Sequence, residues 1–207
     1  MGFYARHVFP RVMDWTLRRP RFQRERQAAL AAVGGEVLEI GFGTGLNLRH
    51  YPRGVTRLTA LDVADLLPAR TAQRLAAAPF PVERVRLTAE RLPFPDRRFD
   101  CVVSTWTLCS IPDALAALRE LRRVLEPGGR FVFLEHGRSD DPRVARWQDR
   151  LNPIQRRLGG GCNLNRPIDT LICDAGFAIT HLDRYVIEGE PRLMASMYRG
   201  MASPRAS

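Results

Sequence analysis

The sequence contains no lysine. All 32 of its basic residues are arginine, set against 22 acidic residues, for a net charge of +10. That absence excludes Schiff-base chemistry and any lysine general base. Long apolar runs are missing too: none approaches the roughly 20 residues that a bilayer-spanning helix needs. Arg6, Arg11 and Asp14 interrupt the N-terminus, which denies it the apolar centre of a signal peptide. A cytoplasmic location is therefore expected. The four cysteines, Cys101, Cys109, Cys162 and Cys173, form no CxxC pair and match no zinc spacing. Free, mostly buried thiols and no metal are expected. The chain also lacks the aromatic-and-basic signature of an RNA-recognition module, and its arginines are spread along its length. No nucleic-acid partner is expected.

What is present is the composition of one globular core, 207 residues with 45% hydrophobic and 26% charged. Residues 1–33 read as a basic helical segment, with Phe3, Val8, Val12 and Leu17 near one stripe and Pro10 and Pro20 limiting helix length. Strands and helices then alternate. Strands are predicted at 35–40, 57–62, 82–88, 99–108 and 129–136. Helices are predicted from Leu46 onward, at 65–78, at 113–125 with Asp113 as N-cap, at 144–158 with a break at Pro153, and at 167–175. Two last strands follow at 177–188 and 194–202. The alternation implies an open α/β sheet, largely parallel, with helices on both faces. Such sheets bind ligands at the carboxyl ends of their strands.

The strongest local signal is Glu39-Ile40-Gly41-Phe42-Gly43-Thr44-Gly45, where an apolar strand runs directly into glycines. Glycine permits a tight turn and close approach of a ligand to the backbone. A carboxylate, Asp62, ends the next strand about 20 residues on, placed to accept ribose hydroxyls. Leu46 stands where a nicotinamide-binding fingerprint has its third glycine, which argues against a dehydrogenase.

Together these residues resemble the class I S-adenosylmethionine-dependent methyltransferases, in particular the small-molecule group that includes ubiquinone-biosynthesis enzymes. The resemblance covers about residues 35–136. It implies a Rossmann-like, seven-stranded, mostly parallel sheet whose last strand is antiparallel. It also implies a methyltransferase domain at 34–207 and a segment 1–33 that covers the site. By similarity Glu39, Gly41, Gly43 and Gly45 form the cofactor loop and Asp62 the ribose acid. Ala89 and Glu90 match the adenine segment, with a solvated loop acid as the alternative for Glu90. Ser104 to Leu108 match the end of strand four, of which Thr105 and Leu108 are assigned to the cofactor.

Shorter signatures narrow the resemblance. Thr107-Leu108-Cys109-Ser110, Leu134-Glu135-His136 and Gly161-Cys162-Asn163-Leu164-Asn165-Arg166 are similar to alkyl-thiol methyltransferases of the methyltransferase-like family and their bacterial homologues. Those relatives carry an apolar N-terminal anchor. This chain has only a basic, broken amphipathic segment, so weak peripheral membrane contact is the most that carries over. The resemblance implies a small-molecule acceptor, a thiol first, with a phospholipid amine or a quinone-type ring as the other readings. A thiol acceptor must become a thiolate. His136, at the end of a strand and with an ordinary pKa near 6.5, is the candidate base, or else a packing residue. Cys109, Cys162 and Asn163 are candidates for the acceptor pocket, with inert or purely structural roles as the alternatives.

Overall fold

The computed structural model describes residues 8–205. Seven strands form one sheet: β1 (Gly35–Ile40), β2 (Val55–Asp62), β3 (Val82–Arg86), β4 (Phe99–Thr105), β5 (Leu125–His136), β6 (Phe177–Val186) and β7 (Ser196–Pro204). Their spatial order is β3-β2-β1-β4-β5-β7-β6. The first five are parallel, and β7 lies antiparallel between β5 and β6. The strand order reverses between β1 and β4, so the ends of those two strands frame the crevice where this architecture binds ligands.

Alternation along the strands divides the core between the two faces. Phe131 and Phe133 of β5 pack with Leu118 and Leu121 of α4 (Ala114–Val124) and with Ile168 and Ile172 of α6 (Ile168–Asp174). Val132, Val103 and Val37 point the other way, toward Leu30 and Val33 at the end of α2 (Pro20–Leu30). Asp113 caps α4 as expected, its Oδ1 accepting the N–H of Ala116 at 2.9 Å. The remaining helices are α1 (Phe9–Leu17), α3 (Pro68–Ala76) and α5 (Pro142–Leu158). Phe3 and the rest of residues 1–7 lie outside the described part of the N-terminal segment.

Three local expectations are corrected. The helix after the glycine turn shrinks to a single 3-10 turn, Leu48–His50. Pro52 forces Tyr51 into an extended conformation (φ −66°, ψ 134°), which ends the turn there. Pro153 does not break α5. One backbone hydrogen bond is forfeited, but Asp141 caps the start through the N–H of Arg143 (2.8 Å). Gln148, fully buried at mid-helix, donates to the carbonyls of Gly137 and Leu193, both at 3.0 Å. Strand β5 begins at Leu125 rather than residue 129. A register irregularity between Phe99 and Cys101 of β4 absorbs the Pro-Gly-Gly turn.

Candidate active site

The glycine turn after β1 is shaped by what surrounds each glycine. Gly41 has φ +66°, and a Cβ there would sit 1.9 Å from Thr107 Oγ1, inside the turn that follows β4. Gly43 has φ +59°, but a Cβ there would meet nothing nearer than the Gly41 carbonyl at 3.8 Å. The first glycine is therefore required by packing, and the second faces open space. Beside it, Asp62 Oδ2 accepts the N–H of Gly43 at 2.7 Å and Oδ1 accepts that of Ala64 at 3.0 Å. Burial raises the Asp62 pKa, and the backbone N–H groups pull it back. A cavity of about 240 Å³ adjoins this carboxylate, walled by Phe42, Ala60, Ala64 and Arg84 among others.

Behind the turn lies a buried polar network that no short motif announced. Glu39, 1% exposed, accepts from Tyr51 Oη (2.7 Å) and Asn47 Nδ2 (2.9 Å). Asn47 Oδ1 accepts from Arg26 Nη1, which also donates to Thr105 Oγ1 at 3.1 Å. Burial pushes the Glu39 carboxyl up to about 7, against the pull of Tyr51 and Arg26. Burial also lowers the Arg26 pKa to about 10, which leaves it cationic at neutral pH. Glu39 and Thr105, expected on the cofactor, are thus bound first to protein partners and support the turn from behind. On the outside, Asp14 of α1 accepts from Thr44 (2.6 Å), Arg70 and Arg74 (2.8 Å each), joining α1 and α3 to the glycine loop.

The end of β4 is held in an uncommon conformation. Trp106 has φ +50°, a left-handed backbone that bulky residues rarely adopt. Glu135 of β5 pins it: its two carboxylate oxygens accept the Thr107 N–H at 3.1 and 2.9 Å, and Oε1 also accepts from Ser104 Oγ at 2.6 Å. Burial raises this carboxyl to about 7. From α2, Phe22 meets the Trp106 ring edge-on (centroids 5.5 Å apart) and the Arg26 guanidinium lies 4.7 Å over it.

His136 does end β5, and the fold brings Cys109 and Cys162 to it. Their ligand-type atoms all lie within 4.8 Å of one another, with His136 Nε2 3.0 Å from Cys162 Sγ. His136 Nδ1 is buried and has no hydrogen-bond partner among the described residues. A hydrogen bond from Cys162 lowers the Cys109 pKa in spite of burial, and the same contact raises that of Cys162. Burial opposes charge on His136, but the adjacent Cys109 raises its pKa overall.

Other expected site residues fall differently. Leu108 is fully buried in the core with α4 and α6 and presents no side chain to a ligand. Asn163 is a clamp: its backbone N–H and Nδ2 both donate to the Cys109 carbonyl, at 2.9 and 2.8 Å. Ala89 is buried in the core, and Glu90 Oε1 accepts the N–H of Asp113 at 3.3 Å, at the start of α4. A cavity of about 780 Å³ lies elsewhere, between Trp15, Arg18, Leu48 and Arg74 on the outer side of the glycine turn. Its walls include neither Asp62 nor the ends of β4 and β5, so it is not the crevice the topology defines.

The sheet order, the glycine turn and the acid after β2 define a class I methyltransferase that uses S-adenosylmethionine. A family model described as a methyltransferase domain matches residues 38–133. The chain is 32% identical over 139 residues to phosphatidylethanolamine N-methyltransferase of Cereibacter sphaeroides, covering 66% of this chain and 68% of that one. It is 33% identical over 167 residues to the human thiol S-methyltransferase TMT1B, covering 75% and 66% respectively. It thus spans about two thirds of each relative's length. The fold is shared with a Burkholderia thailandensis 1,6-didemethyltoxoflavin N1-methyltransferase bound to S-adenosylhomocysteine. The TM-score is 0.69 at 20% identity, covering 96% of this chain and 84% of that one. The chain belongs to the S-adenosylmethionine-dependent methyltransferase family.

The residues present fit that cofactor. Gly43 faces space that a side chain would fill, and Asp62 stands at the wall of a cavity beside it. Arg26 Nε is a buried cationic donor with no protein partner among the described residues, suited to a carboxylate.

Proposed function

We propose that the protein methylates the sulfur of a small, apolar thiol. S-adenosylmethionine supplies a methyl group on a positively charged sulfur, open to displacement in line. Gly41, Gly43, Gly45 and Asp62 hold it in this reading, and the Ala89-Glu90 segment can reach it only through its backbone, its side chains being engaged with the protein. Glu39 and Thr105 act at one remove, by fixing Asn47 and Arg26. Much of the rate gain then comes from positioning two reactants in a dry crevice. Helices α1 and α2 cover the site, with Phe22 and Arg26 closing over Trp106.

The observation that carries the thiol reading is the buried imidazole at the end of β5. It stands between two cysteines and keeps one ring nitrogen without a hydrogen-bond partner among the described residues. His136 is the group that promotes loss of the acceptor's proton, and Cys109 and Cys162 wall the pocket. The similarity to a thiol S-methyltransferase supports the same reading. Incubation with labelled cofactor and matched panels of thiols, amines and phenols tests it. Label in a thiol is expected; label only in an amine or a phenol would overturn it.

A specific feature favours a lipid-proximal acceptor as the second reading. Val8, Val12 and Trp15 of the N-terminal helical region are 39%, 50% and 58% exposed on an arginine-rich segment. That face suits weak peripheral contact with an anionic bilayer. Among the described residues no helix is long and apolar enough to cross one. Sedimentation with anionic and with neutral vesicles distinguishes contact from its absence.

A further inference from the structure

Cys109, His136 and Cys162 are separated by 27 and 26 residues in the sequence, which is why no metal-binding motif is visible there. They come from three different places: the turn after β4, the end of β5 and the loop between α5 and α6. All three side chains are buried, at 2%, 6% and 8% exposure. We infer that Cys109, Cys162 and His136 Nε2 bind one zinc ion and leave its fourth position open. The inference deepens the proposed thiol chemistry and rests on it only for what fills that fourth position.

Donor chemistry selects the ion. Two thiolates and an imidazole form a soft set of the kind that binds zinc in a tetrahedral arrangement. Ligand atoms around a tetrahedral zinc stand roughly 3.5–3.8 Å apart, given Zn–S near 2.3 Å and Zn–N near 2.0 Å. The three atoms here, all within 4.8 Å, reach that spacing with shifts of several tenths of an ångström. The 3.0 Å contact between His136 Nε2 and Cys162 Sγ has to open.

The sulfurs are not needed to hold the loops together. Asn163 clamps the Cys109 carbonyl, Arg166 Nη1 donates to the Leu108 carbonyl, and Asn152 Oδ1 accepts the Leu164 N–H at 2.8 Å. The donors are therefore brought together by a scaffold that does not depend on them, as a prepared site requires. The charge balance is also favourable. Binding leaves both cysteines as thiolates and the imidazole neutral, and the zinc cation with two thiolates is neutral, so no net charge is buried. Three protein ligands with one position free is the arrangement of catalytic rather than structural zinc. An acceptor thiol bound there would lose its proton to solvent on coordination, and His136 would promote ionisation as a ligand rather than as a base.

The test uses the full chain without an added histidine tag. Zinc per chain is measured by mass spectrometry, and chelator-treated protein is titrated with cobalt(II). The expected result is one metal per chain, with sulfur-to-cobalt charge transfer and the intense visible bands of tetrahedral cobalt. Cys109→Ser, Cys162→Ser and His136→Ala should each weaken cobalt binding at least tenfold, with calorimetric affinity for S-adenosylhomocysteine preserved as proof of folding. Should a variant fail that control, the intensity of the charge-transfer band in the wild-type protein reports the number of thiolates directly. Wild-type protein that binds S-adenosylhomocysteine but gives no such spectrum would overturn the site. So would a spectrum that survives in the folded double serine variant. The thiol panel on the same sample separates the two proposals. Bound metal with no thiol methylated removes the acceptor assignment alone, and undiminished thiol methylation by protein that binds no metal removes the zinc alone.

Discussion

Two glycines two residues apart in the same turn should respond in different ways to the same substitution, one chiefly in stability and the other chiefly in cofactor affinity. Gly41→Ala places a methyl group 1.9 Å from Thr107 Oγ1 at φ +66°. The left-handed backbone costs about 1–2 kcal/mol for alanine, and forcing the turn after β4 to move adds about 1–3 kcal/mol. For a chain of this size that lowers Tm by roughly 4–20 °C. Gly43→Ala meets nothing nearer than 3.8 Å, so only the backbone cost remains, about 2–8 °C. Its methyl group instead enters the space assigned to the cofactor. Affinity for S-adenosylhomocysteine should fall at least about tenfold, or ~1.4 kcal/mol, beyond any loss of stability. Thermal unfolding and titration calorimetry on both variants read the two effects separately. If Gly43→Ala unfolded within that range but bound the product within about twofold of wild type, the space above Gly43 would not be the ligand's, and the placement of the cofactor would fail.

Further outcomes follow from the buried charges. Asp62→Asn keeps the shape but sets an amide NH2 against one of the two backbone N–H groups that the carboxylate accepts; product affinity should drop about tenfold or more and Tm should fall by about 2–12 °C, by calorimetry and thermal melts. Arg26→Met leaves Glu39 without its cation. At pH 8 it should cost about 3 kcal/mol in denaturant titrations, and less at pH 6, where Glu39, with its pKa near 7, holds a proton. Glu39 and Glu135 are each raised from 4.5 to about 7, so the folded chain keeps protons that the unfolded chain has released. Stability should therefore fall as pH rises between about 5 and 8, by roughly 3 kcal/mol per carboxyl. Glu135→Gln should flatten that slope, and a slope of the opposite sign in urea titrations would contradict both assignments.

The strands were legible because burial on both faces leaves unbroken apolar runs such as Cys101 to Val103, and the glycine turn because its residue types are restricted by sterics. The α4 cap was legible for the same local reason. What could not be read depends on residues distant in sequence. Pro153 looks like a helix break until the caps and the buried Gln148 that hold α5 are seen. Leu108 belongs to the matched motif, yet its burial against α4 and α6 is decided by tertiary packing. Arg26 reads as one arginine in a basic cluster, and nothing near it signals Glu39, Asn47 and Thr105 as its partners. The meeting of Cys109, His136 and Cys162 likewise needs the ends of two strands and a remote loop to come together.

The contact between Arg26 and Thr105 spans 79 residues. During synthesis α2 emerges first, and its guanidinium must wait in water until β4 has been made and has joined the sheet. Only then do Asn47 and Glu39 acquire the neighbour that sets the glycine turn. Competence to bind cofactor is therefore a late event for a segment that leaves the ribosome early, and trimming α2 from the mature chain would undo the turn from within.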